Sequence, residues 1–159
     1  MFRRHAAFVV AILIAALLAA CAGGPVRRVS EPAASIQQLT VRADGRWDVQ
    51  LRLNNFSSMA MRFSDAKLDI AFDGTAAARI EASPGIEVGP ESADVFTTTV
   101  TPLPEGRARM ATALADGRGV SYALSGSVRA APQDASPREY RIKRESALSP
   151  VPGMPGVLR

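Results

Sequence analysis

The chain has 159 residues with 19 Lys and Arg against 15 Asp and Glu, which suits one domain with one core. The bases are interleaved with acids rather than clustered, so no nucleic-acid footprint is present. One histidine, His5, and one cysteine, Cys21, exclude a disulfide, a His/Cys zinc site and histidine-assisted nucleophilic catalysis in whatever lies beyond the first segment.

Residues 1–20 have the layout of a secretory signal. Arg3 and Arg4 supply a basic start, and Ala6 to Leu18 is almost wholly apolar. That run falls short of the roughly 20 residues of a membrane span and suits a signal core. Leu18-Ala19-Ala20-Cys21 resembles the lipobox of bacterial lipoproteins. The resemblance implies cleavage before Cys21, a diacylglyceryl thioether on its sulfur and acylation of the new amino terminus. An uncleaved anchor, or an ordinary signal leaving a free thiol, is the alternative. Cleavage would discard His5 and reduce the bases to 17, since Arg3 and Arg4 leave. The mature chain would then have no imidazole and no free thiol, so catalysis is reduced to carboxylates or a Ser-Lys pair.

Residues 21–35 are small and Pro-rich and predict a flexible tether. Treated as a coil, it holds the domain roughly 20 Å from the lipid. From Ile36 onward, alternation with period two dominates. Trp47, Val49, Leu51 and Leu53 fall on one face of a strand and Arg46, Asp48, Gln50 and Arg52 on the other. Asp44-Gly45 is a hairpin turn, with Ile36 to Ala43 as the partner strand. Lys67 to Asp73 repeats the pattern with Leu68, Ile70 and Phe72 inward. Further strands are predicted at Ala77 to Ala82, Ile86 to Val88 and Val95 to Thr101, the last with Phe96 inward. Gly106 to Ala115 breaks the alternation and reads as a short helix. Val120 to Val128 returns to it, with Tyr122, Leu124 and Val128 inward. Glu139 to Glu145 is a last strand, presenting Tyr140 and Ile142 to the core. Residues 147–159, rich in proline and glycine, are expected to be a disordered tail. Seven or eight antiparallel strands with one connecting helix predict an all-β sandwich over residues 36–146. The expected core is Trp47, Leu51, Leu53, Leu68, Ile70, Phe72, Phe96, Tyr122 and Leu124.

Three passages are similar to the late-embryogenesis-abundant group 2 family, also called the water stress and hypersensitive response domain. They are Val49 to Phe56, ending in an asparagine-rich turn, Leu68 to Gly74, and Tyr122 to Val128 with Gly126 near its centre. The family turn reads Asn-Pro-Asn, whereas this chain has Asn54-Asn55-Phe56. Asparagine still permits an Asx-turn there. The resemblance implies an immunoglobulin- or fibronectin-III-like sandwich and supplies no catalytic residues.

Other motifs compete with plainer readings. Ser64-Asp65-Ala66-Lys67 spells the S-x-x-K of penicillin-binding enzymes, but lacks the helix and the companion motifs that chemistry needs. Asp65, Asp69 and Asp73 share one strand face by spacing, which suits solvated acids better than calcium ligands. Trp47 and Tyr122 could line a pocket, but their inward parity predicts core packing with the Tyr122 hydroxyl bonded to backbone. Pro152 to Pro155 fits PxxP within the tail. Asn55-Phe56-Ser57 spells a glycosylation sequon, irrelevant in a bacterial protein.

The expected function is a non-enzymatic lipoprotein, held at the membrane by the Cys21 lipid and serving envelope stress tolerance by binding or shielding envelope proteins or lipids. Ala22 after the cysteine predicts outer-membrane sorting with the domain facing the periplasm. The alternative is a carrier of a lipid or small apolar ligand. No catalytic residue, cofactor or metal is expected.

Overall fold

Backbone alternation is realised almost strand for strand in the structure, a computed structural model that describes residues 27–159. β1 (Ala33–Val41) and β2 (Trp47–Asn55) form the first hairpin. Its turn contains Gly45 at φ 81°, and the Asp44 carboxylate accepts from the Arg46 backbone N–H at 3.0 Å. β3 (Met61–Phe72) and β4 (Thr75–Ala82) form the second, through Asp73-Gly74. β5 (Ile86–Val88) pairs with the start of β3, and β6 (Ser92–Val100) returns to lie beside β2. Helix α1 (Pro104–Ala115) leads into β7 (Val120–Pro132), which pairs along its length with β8 (Arg138–Leu148). β9 (Val157–Leu158) adds to β1.

Two antiparallel sheets result, one ordered β6-β2-β1-β9, the other β4-β3-β7-β8 with β5 beside β3. They face each other across a core, giving an all-β sandwich. The Trp47 and Phe72 rings meet between the sheets at 5.5 Å, tilted by 38°. The Tyr122 hydroxyl accepts from the Ile36 backbone N–H at 3.1 Å, so the expected hydroxyl-to-backbone bond also links the sheets. Eight of the nine expected core residues are buried. Phe96 is only partly buried, because β6 is an edge strand with β2 as its one neighbour in the sheet.

The ends of the domain differ from expectation. Residues 147–159 are not a disordered tail. Ser149 and Arg159 exchange backbone hydrogen bonds of 2.6 and 2.9 Å, and the Val41 N–H donates to the Gly156 carbonyl at 2.8 Å. Val157 and Leu158 are buried, so this segment supplies the ninth strand where seven or eight were expected. At the other end, residues 21–35 are not all tether. β1 begins at Ala33, Pro32 and Ala34 are buried, and Arg28 to Ser30 are bonded to the body of the domain. The folded unit therefore exceeds residues 36–146 in both directions. The strand expected at Lys67 begins at Met61, and the helix begins at Pro104, whose missing N–H costs nothing in a first turn.

Gly126 is required where β7 crosses close to β3. It holds φ 142°, and a Cβ there would stand 2.2 Å from the Lys67 carbonyl oxygen. Both the left-handed backbone and the close approach exclude a side chain. Gly126→Ala is expected to lower stability by about 1–3 kcal/mol through forced backbone displacement, read from urea unfolding midpoints.

Candidate functional site

The outer face of the second sheet carries the residues with the best claim to chemistry. A shallow depression of about 230 Å³ is lined by Asp65, Lys67, Ser127, Arg129 and Glu139. Its acids are already engaged. Asp65 accepts from the hydroxyls of Ser64 at 2.8 Å and Ser83 at 3.2 Å, and Glu139 accepts from Ser127 at 2.5 Å. The S-x-x-K serine lies on bulged strand β3, not at a helix start, and its hydroxyl faces Asp65 and the Arg129 carbonyl. Strand geometry withholds the one-turn offset that a Ser-Lys pair requires.

The three aspartates also fail to gather. Asp69 accepts from Arg79 at 2.7 Å, while Asp73 sits in the β3–β4 turn with Arg109 3.6 Å away. No group of three or more His, Cys, Asp or Glu could hold a metal ion among the described residues. A second depression, of about 420 Å³, lies between α1 and the start of β7, where Asp73, Arg109 and Arg118 surround an exposed helix flank. On the first sheet, the Thr99 hydroxyl and then Arg42 hold the Asp48 carboxyl below its ordinary value. Asp48 is thereby stabilised as an anion by its sheet neighbours.

The most constructed locus is the end of the sandwich where the chain arrives from Cys21. Asn55, fully buried at the end of β2, directs its side-chain amide to the carbonyls of Met59, Val88 and Gly89 at 2.8, 3.1 and 2.9 Å. Its oxygen accepts from the Ser57 N–H at 2.9 Å, which is the Asx-turn that the asparagine-rich passage permits. The turn presents two serines to the incoming chain. The Ser30 N–H donates to the Ser57 hydroxyl at 3.0 Å, and the Arg28 N–H to the Ser58 hydroxyl at 2.8 Å. The Ser58 N–H returns a bond to the Arg28 carbonyl at 3.0 Å. The Arg28 guanidinium reaches the Phe56 carbonyl and Glu91, and Arg27 pairs with Asp134. Beside this clamp, Val29 and Phe56 are about half exposed, at 47% and 51%. Cys21, the expected lipidation site, lies outside the described residues, as do residues 1–20. Among the described residues no helix is long and apolar enough to cross a membrane.

No protein-family model matches the chain, and no curated protein sequence does either. Solved structures do. The solution structure of AT1g01470 from Arabidopsis thaliana aligns with a TM-score of 0.50 at 9% identity, covering 83% of this chain and 87% of that one. That likeness shows the fold alone. A crystal structure of a protein from Archaeoglobus fulgidus aligns at 0.42 and 16% identity, covering 78% and 98% of the two chains. The ApaA protein from Bordetella pertussis aligns at 0.46 and 13% identity, covering 81% and 99%.

Proposed function

We propose that this protein is a non-enzymatic lipoprotein of the cell envelope: a β-sandwich anchored through a lipidated Cys21 to the outer membrane and facing the periplasm. There it serves desiccation-type stress tolerance by binding or shielding envelope components. The observation that carries the anchor is the run from Arg3 to Cys21, with basic start, apolar core, small residues and cysteine in that order. The clamp on Arg28 and Ser30 supports it, because it seats the incoming chain firmly on the domain that the anchor must hold. The engaged acids of the outer face support a binding role over catalysis. The group 2 resemblance of Val49–Phe56, Leu68–Gly74 and Tyr122–Val128 supports the stress role.

Mass spectrometry of the amino-terminal peptide tests the anchor. The expected result is a chain beginning at Cys21 with a diacylglyceryl group on sulfur and a fatty acyl group on nitrogen. A free thiol at Cys21, or retention of residues 1–20, would overturn it. The stress role is tested by survival after drying. Cells lacking the protein are expected to lose viability and regain it with the unaltered chain, and equal survival without it refutes that role.

A further inference from the structure

We propose that the end of the sandwich bearing Val29 and Phe56 rests on the phospholipid surface of the membrane that holds Cys21; this rests on the anchor reading above. The argument is one of reach. Among the described residues, Arg28 is the first whose backbone is bonded to the turn after β2, through the Ser58 hydroxyl and N–H. From Cys21 to Arg28 is seven residue steps, 28 − 21. At most about 3.6 Å each, they span about 25 Å fully extended, and about 15 Å as a coil. The sandwich itself is longer than the coil. The nine residues of β2 run about 30 Å from the clamp to the end that carries α1. Whatever orientation the domain takes, the lipid is within reach of the clamped end and pulls that end down.

The side chains exposed at that end suit a headgroup boundary. Phe56 follows the buried Asn55, so its backbone is held by the Asx-turn while 51% of the residue stays accessible. Val29 lies between the two clamped residues with 47% accessible. An aromatic and a branched aliphatic side chain enter the headgroup and acyl boundary favourably. Arg27 and Arg28 flank them in ion pairs with Asp134 and Glu91 whose side chains are all at least 60% exposed. Exposed pairs of this kind contribute little, so both guanidiniums are available to lipid phosphates at small cost. Leu103 and Met154, the other large apolar residues left exposed among the described residues, lie at the far end, beyond the reach of the tether. They supply an internal control with the same chemistry.

The mature lipidated chain has no free thiol, so Phe56→Cys and, separately, Val29→Cys and Leu103→Cys each create one labelling site. The full lipidated protein, labelled with an environment-sensitive fluorophore, is reconstituted into phosphatidylethanolamine–phosphatidylglycerol vesicles. Quenching by brominated lipids and by aqueous iodide is then compared, and acylation of Cys21 is measured on the same samples by mass. The expected result is that labels at 56 and 29 are quenched several-fold more by brominated lipid than the label at 103, and several-fold less by iodide. With Cys21 acylated, labels at 56 and 29 as open to iodide as the one at 103 would overturn the inference and leave the anchor standing. Protection from iodide without quenching by lipid would also overturn it, assigning the surface to a second copy or a protein partner. Absence of the lipid from Cys21 would overturn the anchor and the docking together.

Discussion

Leu51→Ala is expected to cost about 2–5 kcal/mol of unfolding free energy, seen as a lower urea midpoint with an unchanged slope. Leu51 lies at the middle of β2, which is flanked on both sides by β1 and β6, opposite Ile36 on one neighbour and Phe96 on the other. It is fully buried, so truncation removes apolar surface from the core and leaves a void that strands paired on both edges cannot close. Arg52, one residue on, is exposed and its side chain donates to the Asn54 side-chain oxygen at 3.2 Å. Arg52→Ala is therefore the matched control, expected within about 0.5 kcal/mol of the unaltered protein. Because a one-residue slip exchanges the two faces of a strand, the pair of variants reads the register directly. A costly Arg52→Ala with a neutral Leu51→Ala would mean that β2 faces the other way.

How much of this was legible in the sequence depended on phase. β2 is buried on one face over nine residues without interruption, and its period two is plain from Trp47 to Leu53. β3 carries the same signal in two phases. Met61 and Phe63 are buried at odd positions, and Ala66, Leu68, Ile70 and Phe72 at even ones. The register shift between Phe63 and Asp65 reverses the alternation, so only the second half read as a strand. Asp65 and Asp69 lie after that bulge and keep their even spacing on the outer face, while Asp73 leaves it because β3 ends at Phe72 and Asp73 turns at φ 47°. β9 has two residues among prolines and glycines, too few for any period to show, and its order comes from Val41 and Leu39, more than a hundred residues away.

The candidate site divides in the same way. The Asx-turn at Asn55 was legible because a side chain bonding two residues ahead is local chemistry. The clamp was not, because Ser57 and Ser58 meet Ser30 and Arg28 across 27 and 30 residues. Small residues such as Pro32 and Ala34 also gave no periodic signal, so a bonded segment read as tether. This difference alters the mechanics of the proposed anchor. A tether of fifteen residues, 21–35, would let the domain tumble above the lipid. On the proposed anchor, the clamp at Arg28 would hold one end of the sandwich close to it.

Cys21→Ser is expected to abolish the anchored form altogether. Each buried methylene contributes about 0.8 kcal/mol to membrane binding, so one acyl chain holds a protein only marginally and several chains hold it almost permanently. The lipobox resemblance implies three chains, all of which depend on the Cys21 sulfur, since acylation of its nitrogen follows cleavage and cleavage follows attachment of the diacylglyceryl group. Serine has no thiol for that first step. The variant is therefore expected to keep residues 1–20 and to run larger on gels. It should sit in the inner membrane on an apolar run from Ala6 to Leu18 that is too short to span well, and leave the outer-membrane fraction empty. The unaltered chain, with Ala22 rather than aspartate after the cysteine, is expected in the outer membrane. Fractionation and an immunoblot read both outcomes. Recovery of the Cys21→Ser protein fully processed and still in the outer membrane would refute the lipid anchor.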